Sequence, residues 1–122
     1  MFDHVAINVR DFATSRAFYE QALAPLGYRV AMDMAQWKAV AFGTDEKPTF
    51  WVCEREPYGT GTHVAFAVDD HETVHAFYDA AVAAGGTDNG KPGLRPYTPT
   101  YYAAFVHDFD GNNVEAVCHK PE

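Results

Sequence analysis

The sequence predicts an α+β fold made of two βαβββ repeats. Three observations carry that expectation. First, His4-Val5-Ala6 returns as His63-Val64-Ala65, and residues 4–27 agree with residues 63–86 at half of their positions, Asp11/Asp70, Ala17-Phe18-Tyr19/Ala76-Phe77-Tyr78 and Gly27/Gly86 among them. Self-similarity at a fixed offset marks a duplicated structural unit. Second, each copy opens on a period-two alternation and then passes to helical spacing. Third, 122 residues of which 48% are hydrophobic suit one core rather than two. The repeats, about 1–56 and 61–120, are therefore read as halves of a single domain spanning 1–122.

Taken in order, Val5, Ile7 and Val9 alternate with His4, Ala6 and Asn8 as a strand requires. Asp11 stands where a helix N-cap belongs, and Ser15, Phe18, Tyr19, Ala22 and Leu23 follow on one helical face up to Gly27. Three strands are expected next, near Tyr28–Met34, Trp37–Gly43 and Thr49–Glu54. Arg55–Gly61 reads as a linker. The second copy repeats the scheme with Val64, Phe66 and Val68, the N-cap Asp70, and a helical face of Val74, Phe77, Tyr78, Ala81 and Val82 closed by Gly85-Gly86. A weak strand near Thr87 precedes a long loop, Gly90–Pro99. Strands at Tyr101–His107 and Asn113–His119 complete the copy.

The formal net charge of −8, with only nine Lys and Arg scattered along the chain, excludes nucleic acid and anionic membrane as natural partners. Small molecules or a second copy of the chain remain. No apolar run approaches a membrane span and none reads as a signal peptide. Cys53 and Cys118 each end a hydrophobic run and read as reduced core cysteines, so a cytoplasmic protein is expected.

The histidines that head the repeats carry the functional signal. Large apolar residues occupy one face of each first strand, and His4 and His63 occupy the other, beside alanines that leave room before each ring. Two histidines related by a duplication can converge on a metal, with a satisfied pair of buried histidines as the structural alternative. Glu115, inside Val114-Glu115-Ala116-Val117-Cys118, is the best third ligand. A carboxylate in an apolar strand is costly unless it is paired or bound to a cation; an outward-facing position on a sheet edge is the alternative.

The order of elements, the histidine opening each repeat, and the segment Asp108-Phe109-Asp110-Gly111-Asn112-Asn113-Val114-Glu115 together resemble the vicinal oxygen chelate superfamily of glyoxalases, extradiol dioxygenases and bleomycin-resistance proteins. The resemblance covers nearly the whole chain. It implies that the two βαβββ repeats form an open, barrel-like mixed sheet around a central cavity, with His4, His63 and Glu115 as ligands of a divalent metal (Zn, Fe, Mn or Ni), a small-molecule substrate, and a homodimer. It also exposes a departure: the last strand of the first repeat reads Thr49-Phe50-Trp51-Val52, with no carboxylate where glyoxalase I carries a fourth ligand. Two histidines and one carboxylate leave more coordination positions open. Trp51 is then read as a pocket wall, and Arg95, Tyr97, Tyr101 and Tyr102 as further pocket residues, Arg95 suited to a substrate carboxylate or phosphate. No general base is identified.

Two motifs are set aside. His71-Glu72-Thr73-Val74-His75 matches the H-E-x-x-H pattern of zinc proteases, yet its repeat partner, Phe12–Arg16, has nothing similar. Asp108-Phe109-Asp110-Gly111 suggests a calcium loop but has its glycine in the wrong place, so it reads as a turn. The expected function is a metal-dependent lyase, isomerase or dioxygenase acting on a vicinal-oxygen substrate. The alternative is a metal-free small-molecule binder of the bleomycin-resistance kind, and a third reading, a purely structural dimer, would require a filled cavity.

Overall fold

The computed structural model describes residues 1–59 and 61–122; Thr60, within the expected linker, lies outside them. The first half consists of β1 (Val5–Val9), α1 (Phe12–Leu23), β2 (Arg29–Met34), β3 (Ala39–Gly43) and β4 (Phe50–Glu54), and the second of β5 (His63–Val68), α2 (His71–Ala83), β6 (Thr87–Leu94), β7 (Tyr102–His107) and β8 (Asn113–Cys118). Each half is a βαβββ unit with its own four-stranded mixed sheet, ordered β1-β4-β3-β2 and β5-β8-β7-β6. In both sheets the first and last strands pair in parallel and the rest antiparallel. The two sheets share no ladder and neither closes on itself, so the barrel stays open.

Both helices begin as their sequences direct. Asp11 accepts a hydrogen bond from the Thr14 backbone N–H at 3.1 Å, and Asp70 accepts from that of Thr73 at 2.7 Å and from the Thr73 hydroxyl at 2.6 Å. These satisfy donors that a helix N-terminus leaves free. The first helix ends at a short 3-10 turn, Ala24–Leu26, capped by Gly27 at φ +82°, a left-handed conformation that glycine adopts without steric cost.

One core joins the halves. Phe18, Tyr19 and Leu23 of α1, Phe42, Phe50 and Val52 of the first sheet, and Phe66, Phe77, Val106 and Val114 of the second half form a single buried cluster. Edge-to-face ring pairs cross the seam, Phe50 to Phe66 at 5.2 Å and Phe18 to Phe109 at 5.3 Å. Each fully buried aromatic ring contributes about 1.5–3 kcal/mol by leaving water, and this favours packing the halves through their helix-bearing faces. Val82, expected on the buried face of α2, is instead 39% exposed.

The long loop expected at Gly90–Pro99 is a strand in its first part, since β6 runs on to Leu94. An outer position in the sheet tolerates Pro92, which has no N–H to donate, and the ladder to β7 shifts register on either side of Gly90. Gly90 sits at φ +153°, and a Cβ there would meet the Phe105 ring at 2.9 Å.

Candidate metal centre

Strand parity divides each sheet into a face packed on the helices and a face turned away from them. On β5 the apolar Val64, Phe66 and Val68 pack toward the core, leaving His63, Ala65 and Ala67 on the other side. The parallel ladder aligns His63 with Asn113 and Ala65 with Glu115, so the three polar side chains share that outer face. Glu115 is nevertheless 1% exposed. Its carboxylate accepts hydrogen bonds from His63 Nε2 at 2.9 Å and from the Tyr101 hydroxyl at 2.5 Å. Both oxygens are thus satisfied, as a buried carboxylate demands.

The other His63 nitrogen, Nδ1, lies 2.6 Å from the Asn113 side-chain amide. With Asn113 donating to Nδ1, the ring proton resides on Nε2 and points at Glu115. Burial and the bond to Glu115 push the Tyr101 phenol up to about 12, which keeps it a hydrogen-bond donor across the neutral range. Tyr97 packs edge-on to Tyr101 with ring centroids 5.0 Å apart. Arg95 lies over the Phe105 ring at 5.2 Å and donates back to the end of β6, to the Gly93 carbonyl at 2.8 Å and the Lys91 carbonyl at 2.6 Å.

His4 lies elsewhere, at the head of β1 in the first sheet, where Nδ1 contacts Asp3 at 2.7 Å and the side chain is half exposed. It borders a recess of about 360 Å³ together with Ala6, Met34, Trp37, Trp51 and Arg55. Trp51 is there by register: β1 pairs Ala6 with Trp51 as β5 pairs Ala65 with Glu115, so the indole occupies the first half's counterpart of the Glu115 position. Within one chain His4 does not join His63 and Glu115. Among the described residues, the one His/Cys/Asp/Glu set of three whose ligand atoms gather within 4.8 Å is His71, Cys118 and Glu122.

Tyr102 is also corrected. It follows Tyr101 by one residue and so faces the opposite way, stacking on His71 at 3.6 Å between ring centroids and bonding to His75 Nε2 at 2.6 Å. Sequence reasoning missed Asn113, which shares Glu115's strand parity and could have been found from it. Trp37 was missed as well, because it belongs to a short 3-10 turn, Ala35–Trp37, that no periodicity announces.

The donor set suits a divalent cation. An imidazole nitrogen and a buried carboxylate side by side on an open face are the ligands such an ion prefers, and a second imidazole would complete a facial arrangement with free positions.

A model of the Glyoxalase/Bleomycin resistance protein/Dioxygenase superfamily matches residues 1–116. Among solved structures, a glyoxalase/bleomycin resistance protein from Albidiferax ferrireducens T118 is 30% identical, with 99% of each chain covered and a TM-score of 0.81. A glyoxalase/bleomycin resistance protein/dioxygenase family enzyme from Burkholderia phytofirmans PsJN is 22% identical over 97% of this chain and 98% of that one, with a TM-score of 0.73. A lactoylglutathione lyase from Agrobacterium tumefaciens shares the fold at 16% identity, covering 97% and 92% of the two chains, with a TM-score of 0.71. No functionally curated protein matches the sequence.

Proposed function

The chain belongs to the glyoxalase/bleomycin resistance protein/dioxygenase superfamily, and from that premise we propose that it is a metal-dependent enzyme acting on a small substrate with two adjacent oxygens, as a lyase, isomerase or dioxygenase. His63 and Glu115 of one chain, with His4 of a second copy, would hold a divalent cation. When bound, that cation supplies Lewis acidity to the substrate oxygens.

The observation that carries this reading is the Glu115 carboxylate, 1% exposed yet set beside His63 on the face away from the helices. A core glutamate kept only for packing would be replaced by an apolar residue at little cost. Tyr101 holds Glu115 through its hydroxyl and fixes the carboxylate's direction, and Asn113 orients the His63 ring. Arg95 and Tyr97 flank the same face and would receive the polar and apolar parts of a substrate. A homodimer would cover the exposed Ala6, Ala65 and Ala67 and bring the His4 recess to the Glu115 face. Two free, buried cysteines suit a reducing compartment, the cytoplasm.

A second reading, a metal-free binder of small molecules, draws on the His63–Glu115 pair itself, because each group already satisfies the other. Elemental analysis of untagged protein separates the two. Measured in a Cys118→Ser background, which removes the thiol from the separate His71, Cys118 and Glu122 set, near-stoichiometric transition metal that is lost on adding either His63→Ala or Glu115→Ala is the expected result. Iron or manganese would direct attention to oxygen chemistry, and zinc or nickel to isomerase or lyase chemistry. No metal after reconstitution overturns the enzyme reading in favour of the binder.

A further inference from the structure

On the helix-bearing side of the second sheet, His71, Cys118 and Glu122 offer a nitrogen, a sulfur and an oxygen that all lie within 4.8 Å of one another. Nothing in the Glu115 centre uses them. Cys118 stands three residues beyond Glu115 on β8 and packs with Val74 of α2, on the opposite face of the strand. We propose that these three residues form a second, independent metal site that binds a thiophilic divalent cation, zinc above all, with water in the fourth position.

The local structure builds this arrangement from three directions. The N-cap Asp70 starts α2 at His71 and so brings that imidazole to the end of β8. Tyr102, stacked flat on the His71 ring at 7° between planes, fixes its orientation. The tail turns back after Cys118, where Lys120 is held by Asp69 at 3.0 Å, and Glu122 accepts a hydrogen bond from the His71 backbone N–H at 2.6 Å. That bond directs one carboxylate oxygen at the helix and leaves the other for a cation. A cleft of about 120 Å³, bordered by His71, Lys120 and Glu122, gives solvent access.

Donor chemistry selects the ion. Thiolate, imidazole and carboxylate together favour zinc or cobalt over magnesium or calcium, which take oxygen ligands. A tetrahedral zinc ion would hold its ligand atoms roughly 3.3–3.8 Å apart, and the exposed Glu122 can move to meet that spacing. The Cys118 thiol at present donates to the Lys120 carbonyl at 3.7 Å. On binding, the sulfur–hydrogen bond gives way to a sulfur–metal bond, and the proton passes to solvent. His71 thus ligates without its partner in the H-E-x-x-H match, since His75 is engaged by Tyr102.

Cobalt(II) titration of the untagged full-length chain reads this site directly, because a thiolate ligand gives an intense near-ultraviolet charge-transfer band that an imidazole and carboxylate site lacks. We expect that band in the wild-type chain, saturating at one equivalent in His63→Ala and Glu115→Ala, and we expect it to vanish in Cys118→Ser. Glu122→Gln, at an exposed position that leaves the core intact, should retain the band with at least about tenfold weaker affinity. No band in the wild-type chain, a band that survives Cys118→Ser, or unchanged affinity in Glu122→Gln overturns the proposal. Loss of the Glu115 centre leaves each of these readings unaffected.

Discussion

At the scale of single residues, a chain of hydrogen bonds runs from Asn113 through His63 and Glu115 to Tyr101. Burial first, and then the hydrogen bond to the negatively charged Glu115, push the Tyr101 phenol up to about 12. A folded-state pKa above the ordinary 10.0 stabilises the fold fully below that value, and the contribution is lost as pH rises through 12. Absorbance titration should therefore record more than one tyrosine ionising late, the buried Tyr19 beside Asp108 as well as Tyr101, and Glu115→Gln should bring Tyr101 alone back toward the ordinary range. Asn113 makes a different prediction. As it stands, its amide donates to Nδ1 and keeps the proton on the nitrogen that a metal would need; Asn113→Asp would draw the proton to Nδ1 and free Nε2. Metal retention against a chelator should rise about tenfold in that variant. The sequence made His63 and Glu115 legible because a duplication and an isolated carboxylate are visible in one dimension. The facing of Tyr101 against Tyr102 was not legible: adjacent tyrosines at a strand's start point opposite ways, and only the strand's register decides which one meets Glu115.

At the scale of elements, α1 is fastened to the turn between β7 and β8. Asp108, 5% exposed, accepts hydrogen bonds from the Tyr19 hydroxyl at 2.6 Å, the Asn112 amide at 2.8 Å and the backbone N–H groups of Asp110 and Asn112. Next to it, Asp110 accepts from the Arg10 backbone N–H at 3.0 Å, just ahead of the helix. Asp108→Ala leaves a buried phenol and amide without partners, so it should cost about 3 kcal/mol in urea denaturation, whereas Asp79→Ala, at an exposed position of α2, should cost almost nothing. This knot explains the turn that superficially resembles a calcium loop: its carboxylates face backbone donors rather than an ion. The helices and the first strand of each half were legible from periodicity because α1, β1 and β5 bury one face only, whereas β3 and β8 bury both faces and read instead as short apolar runs. Strand β6 was not, because Gly90, Pro92 and Gly93 carry turn signals, and its pairing to β7 overrides them.

At the scale of the whole molecule, the halves share a core but not a sheet, and His4 and His63 head the first strands of different sheets. If a dimer reunites them, His4→Ala and His63→Ala damage opposite contributions to each site. Refolding an equal mixture of the two variants should then restore metal to about a quarter of the sites, since half of the dimers are mixed and each has one intact site. An equal mixture of His63→Ala and Glu115→Ala should restore none. Recovery in neither mixture would mean that a site is never shared between copies. The duplication itself predicted the architecture of both halves, but it could not say how they associate, because a repeat specifies its own pairing and is silent on which copy of the other half it meets.

The register that sets Trp51 opposite Ala6 carries one more consequence. The chain has two tryptophans, and both Trp51 and Trp37 border the recess beside His4. Intrinsic indole emission from this protein therefore originates at a single locality, with no distant fluorophore to dilute it. Whatever covers that recess, be it ligand, metal or another protein surface, reports its arrival in the colour and intensity of the protein's own light.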